Sequence, residues 1–233
     1  MKYIMLICFF FTFISCEDKQ SKNKVIPQKT VSKDVDNSKA DKEGKANKDS
    51  NKLDSKNAME FFLQYDKHHK ENKVRITTDL GAIDILLFNE TKFHRSNFIF
   101  LTKKQYFNGT QFYRVINNFM VQAGNSDDQK TMNKRNTIGR YLLPPDTKRG
   151  FKHDRGVISM PSSEIDNPHK LASPYEFFIV QQKGGAHYLD GDYTIFGKVI
   201  KGMDVVDKIA AVETDDGDWP RKNIYIKHVE IIP

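Results

Sequence analysis

The chain has 233 residues, 37 Lys and Arg against 30 Asp and Glu, and a formal charge of +7. That length holds one domain and an appendage. The charge excess is spread through mixed-sign stretches that lack aromatic platforms for bases, so it reads as a solubility feature with weak attraction to anionic lipid, and nucleic-acid binding is excluded.

The first residues, MKYIMLICFFFTFISC, place Lys2 ahead of an apolar run from Tyr3 to Ile14. The run is too short to span a bilayer as a helix and has the shape of a secretory signal, residues 1–15. It ends with Ser15 directly before Cys16 and so resembles a bacterial lipoprotein signal, with Phe13 where a Leu is usual. Cleavage would leave Cys16 as the acylated first residue and remove Cys8, which excludes disulfides and Cys-based metal sites from the mature protein. Several acyl chains on one cysteine make a stable anchor, where a single chain does not. The expected location is the bacterial cell envelope; membrane and face are left open.

Residues 16–57 are expected to form a disordered tether. From Glu17 to Asn57 there are eleven Lys against eight Asp or Glu and no aromatic residue. Such a segment buries too little to offset its ordering entropy. Forty flexible residues reach on the order of 35 Å root-mean-square. Residues 58–72 follow as a short helical lead-in, with Met59, Phe62 and Tyr65 about three apart. His68 and His69 are adjacent and do not share a helix face, so they make no metal site.

From Lys73 to the end the pattern is mainly β. VRITT and IDILLF flank Asp79-Leu80-Gly81-Ala82 as a hairpin. The spacing of Phe93, Phe98 and Leu101 predicts a helix over 92–104, and Asn108-Gly109 a turn. TQFYRVI and FMVQA read as strands, residues 126–151 as a long loop, and GVISM, EFFIVQ and YTIFGKVI as further strands. A helix over about 203–211 and the strand NIYIKHVEII close the chain. Eight short strands with turn punctuation predict a barrel or sandwich.

One residue stands out. In FYRVINNFMVQAG, Arg114 sits among residues that all look like core. A guanidinium without a partner is costly to bury, so the charge needs a use.

FYRVINNFMVQAG resembles the cyclophilin signature, a Phe-His-Arg-Val strand leading into Phe-Met-x-Gln-Gly-Gly. RGVISM, EFFIV and YLDGDYTIFGKVIKGMDVVDKI continue the similarity in the family's order over roughly residues 73–232. The resemblance implies an eight-stranded antiparallel barrel capped by two α-helices, with the active site on its outer face. It implies prolyl cis–trans isomerisation of proline-containing polypeptide clients, without cofactor or metal. Arg114 would be catalytic, with Gln122 fixing the substrate carbonyl or orienting Arg114. Phe112, Phe119, Met120, Phe178 and Leu189 would contact substrate, together with Ser162, Glu176, Tyr188 and Tyr193. A monomer is expected.

The chain also departs from the family. Pro161-Ser162 stands for Ala-Asn, Tyr175-Glu176 for Ser-Gln, Tyr188 for Trp, Tyr193 for His, and Ala123-Gly124 for Gly-Gly. Glu176 is expected either to pair with Arg114 or to favour substrates with a basic residue. Trp219, the only tryptophan, does not match the pocket position. A non-catalytic module that holds proline-containing segments is the alternative. A serine hydrolase using Ser159, Ser162 or Ser163 with His153 or His169 is disfavoured, because no Gly-x-Ser-x-Gly elbow is present.

Overall fold

In the computed structural model, residues 52–162 and 168–233 are described; the signal, Cys16, the tether up to residue 51 and Ser163 lie outside them. The strands are β1 (Leu53–Asp54), β2 (Lys73–Thr78), β3 (Gly81–Leu87), β4 (Gln111–Ile116), β5 (Met120–Asn125), β6 (Gly139–Arg140), β7 (Val157–Met160), β8 (Phe177–Val180), β9 (Thr194–Lys201) and β10 (Ile224–Ile231). The helices are α1 (Ala58–His68), α2 (Lys92–Lys103), α3 (Gln129–Ile138) and α4 (Met203–Ala210). Eight strands close into an antiparallel barrel in the order β10-β2-β3-β9-β7-β8-β5-β4, as expected.

Alternation along each strand decides what faces where. Val74, Ile76, Ile83, Ile85, Phe112, Val121, Ile158, Phe177, Ile179 and Phe196 point inward into one core. The predicted hairpin joins β2 to β3 by pairing Thr78 with Gly81, and the Thr78 hydroxyl donates to the Gly81 carbonyl at 3.0 Å. Helices α2 and α4 pack on the barrel. α4 buries Val205, Val206, Ile209 and Ala210, while α2 is buried on nearly every face.

α2 is covered from outside by α1. Phe62 is fully buried there, and Phe61, Tyr65 and Phe100 pack edge-on and stacked beside it. Beneath them Asp66 of α1 bonds the buried Arg95 of α2, and Lys70 adds a second bond to Asp66 at 2.7 Å. Burial pushes the Asp66 carboxyl up, but the bonds from Lys70 and Arg95 outweigh it and hold it below the usual carboxylate value.

Two expectations are corrected. The tether ends earlier than residue 57, because Leu53 is buried and β1 pairs in parallel with β6. That pairing needs Gly139, since a Cβ there would collide with the Leu53 carbonyl oxygen and φ is +137°. The loop expected at 126–151 contains α3. Its N-terminus is capped by Asp128, whose carboxylate accepts the Thr131 N–H at 2.6 Å. The helix has only Met132 and Ile138 as apolar residues, and hydrogen bonds hold it: Lys134 Nζ donates to the carbonyls of Gln105, Tyr106 and Asn108 at 3.0, 3.0 and 2.6 Å. Hydrophobic spacing therefore carries no trace of it.

Candidate active site

A bulge in β4 builds the site. Phe112 pairs with Ala123 but Arg114 pairs with Gln122, so one extra residue, Tyr113, is inserted between them. Phe112 and Val115 stay inward, and both Tyr113 and Arg114 turn outward. Arg114 is thus not buried among its apolar neighbours; 45% of its side chain is exposed. Phe112, expected to touch substrate, is fully buried in the barrel beside Phe177 and takes no part in the outer face.

The outer face runs straight across four strands. Arg114 pairs with Gln122, Gln122 with Phe178, and Phe178 with Ser159. Neighbouring strands lie about 4.8 Å apart, so a guanidinium, an amide and an aromatic ring stand side by side.

On the Phe178 side is a second apolar cluster, separate from the barrel core. Met120, Phe178 and Ile195 are buried in it, with Phe119, Leu189 and Tyr193 packed around them. The Tyr193 ring meets Phe178 edge to face at 5.8 Å, and Tyr188, 65% exposed, lies 5.8 Å from Phe119 at the rim. These residues come together in one cluster.

His153 backs this cluster. Its ring stacks on Phe178 at 6.1 Å and an 8° angle, its Nδ1 lies 2.8 Å from Asp190 Oδ1, and its Nε2 lies 3.2 Å from Ser159 Oγ. Burial pushes the His153 pKa down and outweighs the pull of Asp190, so the ring is neutral, with Nδ1–H donating to Asp190 and Nε2 lying beside a Ser159 hydroxyl whose proton goes to Thr194. Ser159 is fully buried, and its hydroxyl also lies 2.9 Å from the Thr194 carbonyl. Serine, histidine and carboxylate are in line, but no substrate reaches the hydroxyl; the trio supports Phe178.

The polar side differs from expectation. Gln122 Nε2 donates to the Tyr113 hydroxyl, and that hydroxyl donates to Glu176 Oε2 at 3.1 Å. Glu176 does not meet Arg114. It pairs with Arg135 of α3 at 3.3 Å, and Arg135 stacks over Tyr175 and bonds the Tyr106 hydroxyl at 2.8 Å. The negative charge expected near the groove is neutralised from within. Arg114 meets Asp218 instead, Nε to Oδ2 at 3.3 Å. Ser162 is half-buried in a bridge to Ala172, and the carbonyl of Pro161 accepts the Ser173 N–H at 2.8 Å. Trp219 is outside the pocket, as expected, but its ring lies 5.7 Å from Tyr113.

Of the expected residues, Arg114, Gln122, Phe119, Met120, Phe178, Tyr188, Leu189 and Tyr193 come together on this face, with Ser162 described at its own bridge and Phe112 elsewhere. Tyr113, Arg135 and Asp218 were missed. A bulge and two partners remote in sequence leave no local signal.

The family model for cyclophilin type peptidyl-prolyl cis-trans isomerases matches residues 73–231. The chain belongs to this family. Among cyclophilin relatives, a peptidyl-prolyl cis-trans isomerase of Acinetobacter baylyi is 38% identical over 145 residues, covering 60% of this chain and 73% of that protein. The isomerase-like 3 protein of Dictyostelium discoideum is 33% identical over 160 residues, 68% of this chain and 94% of its own. The isomerase-like 2 protein of Rhizopus delemar is 37% identical over 171 residues, and the chain spans only 30% of its length. The crystal structure of a Cryptosporidium parvum cyclophilin superposes with a TM-score of 0.59 at 28% identity, covering 70% of this chain and 98% of that one. A second structure of that protein was determined in the presence of the dipeptide Ala-Pro.

Proposed function

We propose that this cyclophilin domain catalyses cis–trans isomerisation of Xaa–Pro bonds in polypeptides, with Arg114 as the group that stabilises the twisted amide. The observation that carries the reading is the row Arg114–Gln122–Phe178 beside an outward apolar cluster. The barrier of about 18–20 kcal/mol comes from amide resonance. At the twisted midpoint the nitrogen lone pair is released and accepts a hydrogen bond. A guanidinium is always charged and donates in a fixed fork, so a bond that strengthens only in that state lowers the barrier. The proline ring, apolar and without an N–H, packs on Phe119, Met120, Phe178 and Leu189. Gln122 has one amide hydrogen on Tyr113 and a second available for the substrate carbonyl. No nucleophile or general base is required.

The test is a prolyl isomerisation assay on an Xaa-Pro-Phe peptide with the full chain, wild type beside Arg114→Ala. Acceleration by wild type and its loss in a folded variant support the reading; a folded wild type with no acceleration would leave the alternative of a non-catalytic module. The departures at Pro161, Ser162 and Glu176 are the features that favour that alternative.

The second part of the proposal concerns place: a lipid on Cys16 anchors the domain in a bacterial cell envelope, where it assists folding of clients. Support comes from the apolar run ending in Ser15-Cys16. Labelled palmitate should enter wild type and not Cys16→Ser, which should also leave the membrane fraction; equal labelling of both would remove the anchor.

A further inference from the structure

An arginine that must donate in the transition state has to be held in one orientation, and Gln122, the residue expected to hold it, is bonded to Tyr113. Another residue does lie against the guanidinium. Asp218 Oδ2 accepts from Arg114 Nε at 3.3 Å, and the carbonyl of the same aspartate accepts the N–H of the next residue, Val115, at 2.8 Å. One residue thus grips both the side chain of Arg114 and the backbone beside it.

The turn that presents Asp218 is itself fixed. Asp215 Oδ1 accepts the N–H groups of Gly217 and Trp219, each at 2.9 Å. Asp215 N–H donates to the Trp219 carbonyl at 2.9 Å, Arg221 N–H donates to the Glu213 carbonyl at 2.9 Å, and Thr214 bridges Pro220. Asp218 stands at φ +64°, a region costly for most side chains but tolerated by Asp. Its neighbour Trp219 leans on Tyr113, so the turn touches both residues that the bulge turns outward.

We infer that Asp218 is a positioning residue for Arg114, setting the plane of the guanidinium from its Nε side and leaving the two terminal nitrogens to face the prolyl amide. This rests on the reading of Arg114 as the donor. The pair is exposed on both sides, 45% and 39%, so it contributes little to folding. Its contribution is preorganisation: a flexible side chain otherwise loses its rotamer freedom only when the transition state forms.

The informative variant is Asp218→Gly, because glycine accepts φ +64° freely and the change removes the carboxylate while leaving the backbone grip. Full-length wild type, Asp218→Gly, Asp218→Asn, Arg114→Ala and the Asp218→Gly/Arg114→Ala double variant are assayed for prolyl isomerisation, with near-UV circular dichroism to certify folding. Asp218→Gly should lower kcat about tenfold with KM near wild type, and Asp218→Asn, which keeps an oxygen acceptor, should recover most of the loss. Added to Arg114→Ala, the glycine substitution should change nothing further. The inference is overturned if folded Asp218→Gly turns over within twofold of wild type while Arg114→Ala is inactive, or if its loss persists undiminished in the Arg114→Ala background. Arg114→Ala with full turnover is a different result: it removes the reading of Arg114 itself.

Discussion

Two of the arginine–aspartate pairs among the described residues differ in almost everything except chemistry. Arg95 and Asp66 join α2 to α1, with 2% and 12% of their side chains exposed; Arg114 and Asp218 lie on the outer wall at 45% and 39%. The first pair is imperfect, since Arg95 Nε and Nη1 are buried without partners. A buried charge held by part of its fork contributes little net stability, yet removing its partner leaves the charge stranded. The second pair has no such penalty, and little to contribute to folding. One pair fixes where a helix docks, and the other fixes where a charge points.

Loss of each pair should register in a different measurement. Arg114→Ala should lower kcat/KM about a hundredfold, as a prolyl isomerisation assay measures, while shifting unfolding by less than about 1 kcal/mol. Asp66→Ala should do the reverse, costing about 3–5 kcal/mol in urea unfolding with turnover of the folded protein unchanged. The double change Asp66→Leu/Arg95→Met should return most of that stability; if it does not, the buried pair is contributing net energy after all.

His94, next to Arg95 on α2, sharpens the same contrast through pH. It is fully buried with neither ring nitrogen bonded, and burial, only partly offset by Asp146, pushes its pKa down to about 4. Its ordinary value is 6.5, so the fold holds it neutral. The sign follows: its penalty is absent above pH 6.5, grows as pH falls and is complete below about 4. Wild type should lose on the order of 3 kcal/mol over that window from this group, and urea midpoints of His94→Leu should fall less steeply. Equal slopes would mean that the ring takes up its proton in the folded state too and finds a partner there.

On the outer wall, Arg135→Met should uncover the charge of Glu176. KM should fall about threefold for peptides with Lys beside the Xaa-Pro unit and stay constant for uncharged ones; a uniform change would make Arg135 purely structural. Smallest of all, Tyr188→Ala should raise KM about twofold with kcat unchanged, since its ring is 65% exposed and touches Phe119 only from the rim.

Much of the barrel was legible because alternation marks its strands and the motifs come in order. The apolar half of the site was legible for the same reason. What escaped had no periodic signal. α3 is held by Lys134, Arg135 and an Asp128 cap, none of which adds apolar spacing. β1 rests on one buried leucine within a Lys- and Asp-rich run. The resemblance puts Phe112 at the groove, but the bulge at Tyr113 keeps it in the core while turning Arg114 outward. Asp218 meets Arg114 across 104 positions of chain, a distance over which the order of residues says nothing about contact.

The link between Arg135 and Glu176 has one more consequence. A groove with an unanswered carboxylate would rank its visitors by charge and linger over the basic ones. Here the acid has its counter-ion built in, supplied by a helix that hydrophobic patterning does not reveal. The wall beside Gln122 and Tyr113 therefore carries no unanswered acid from Glu176.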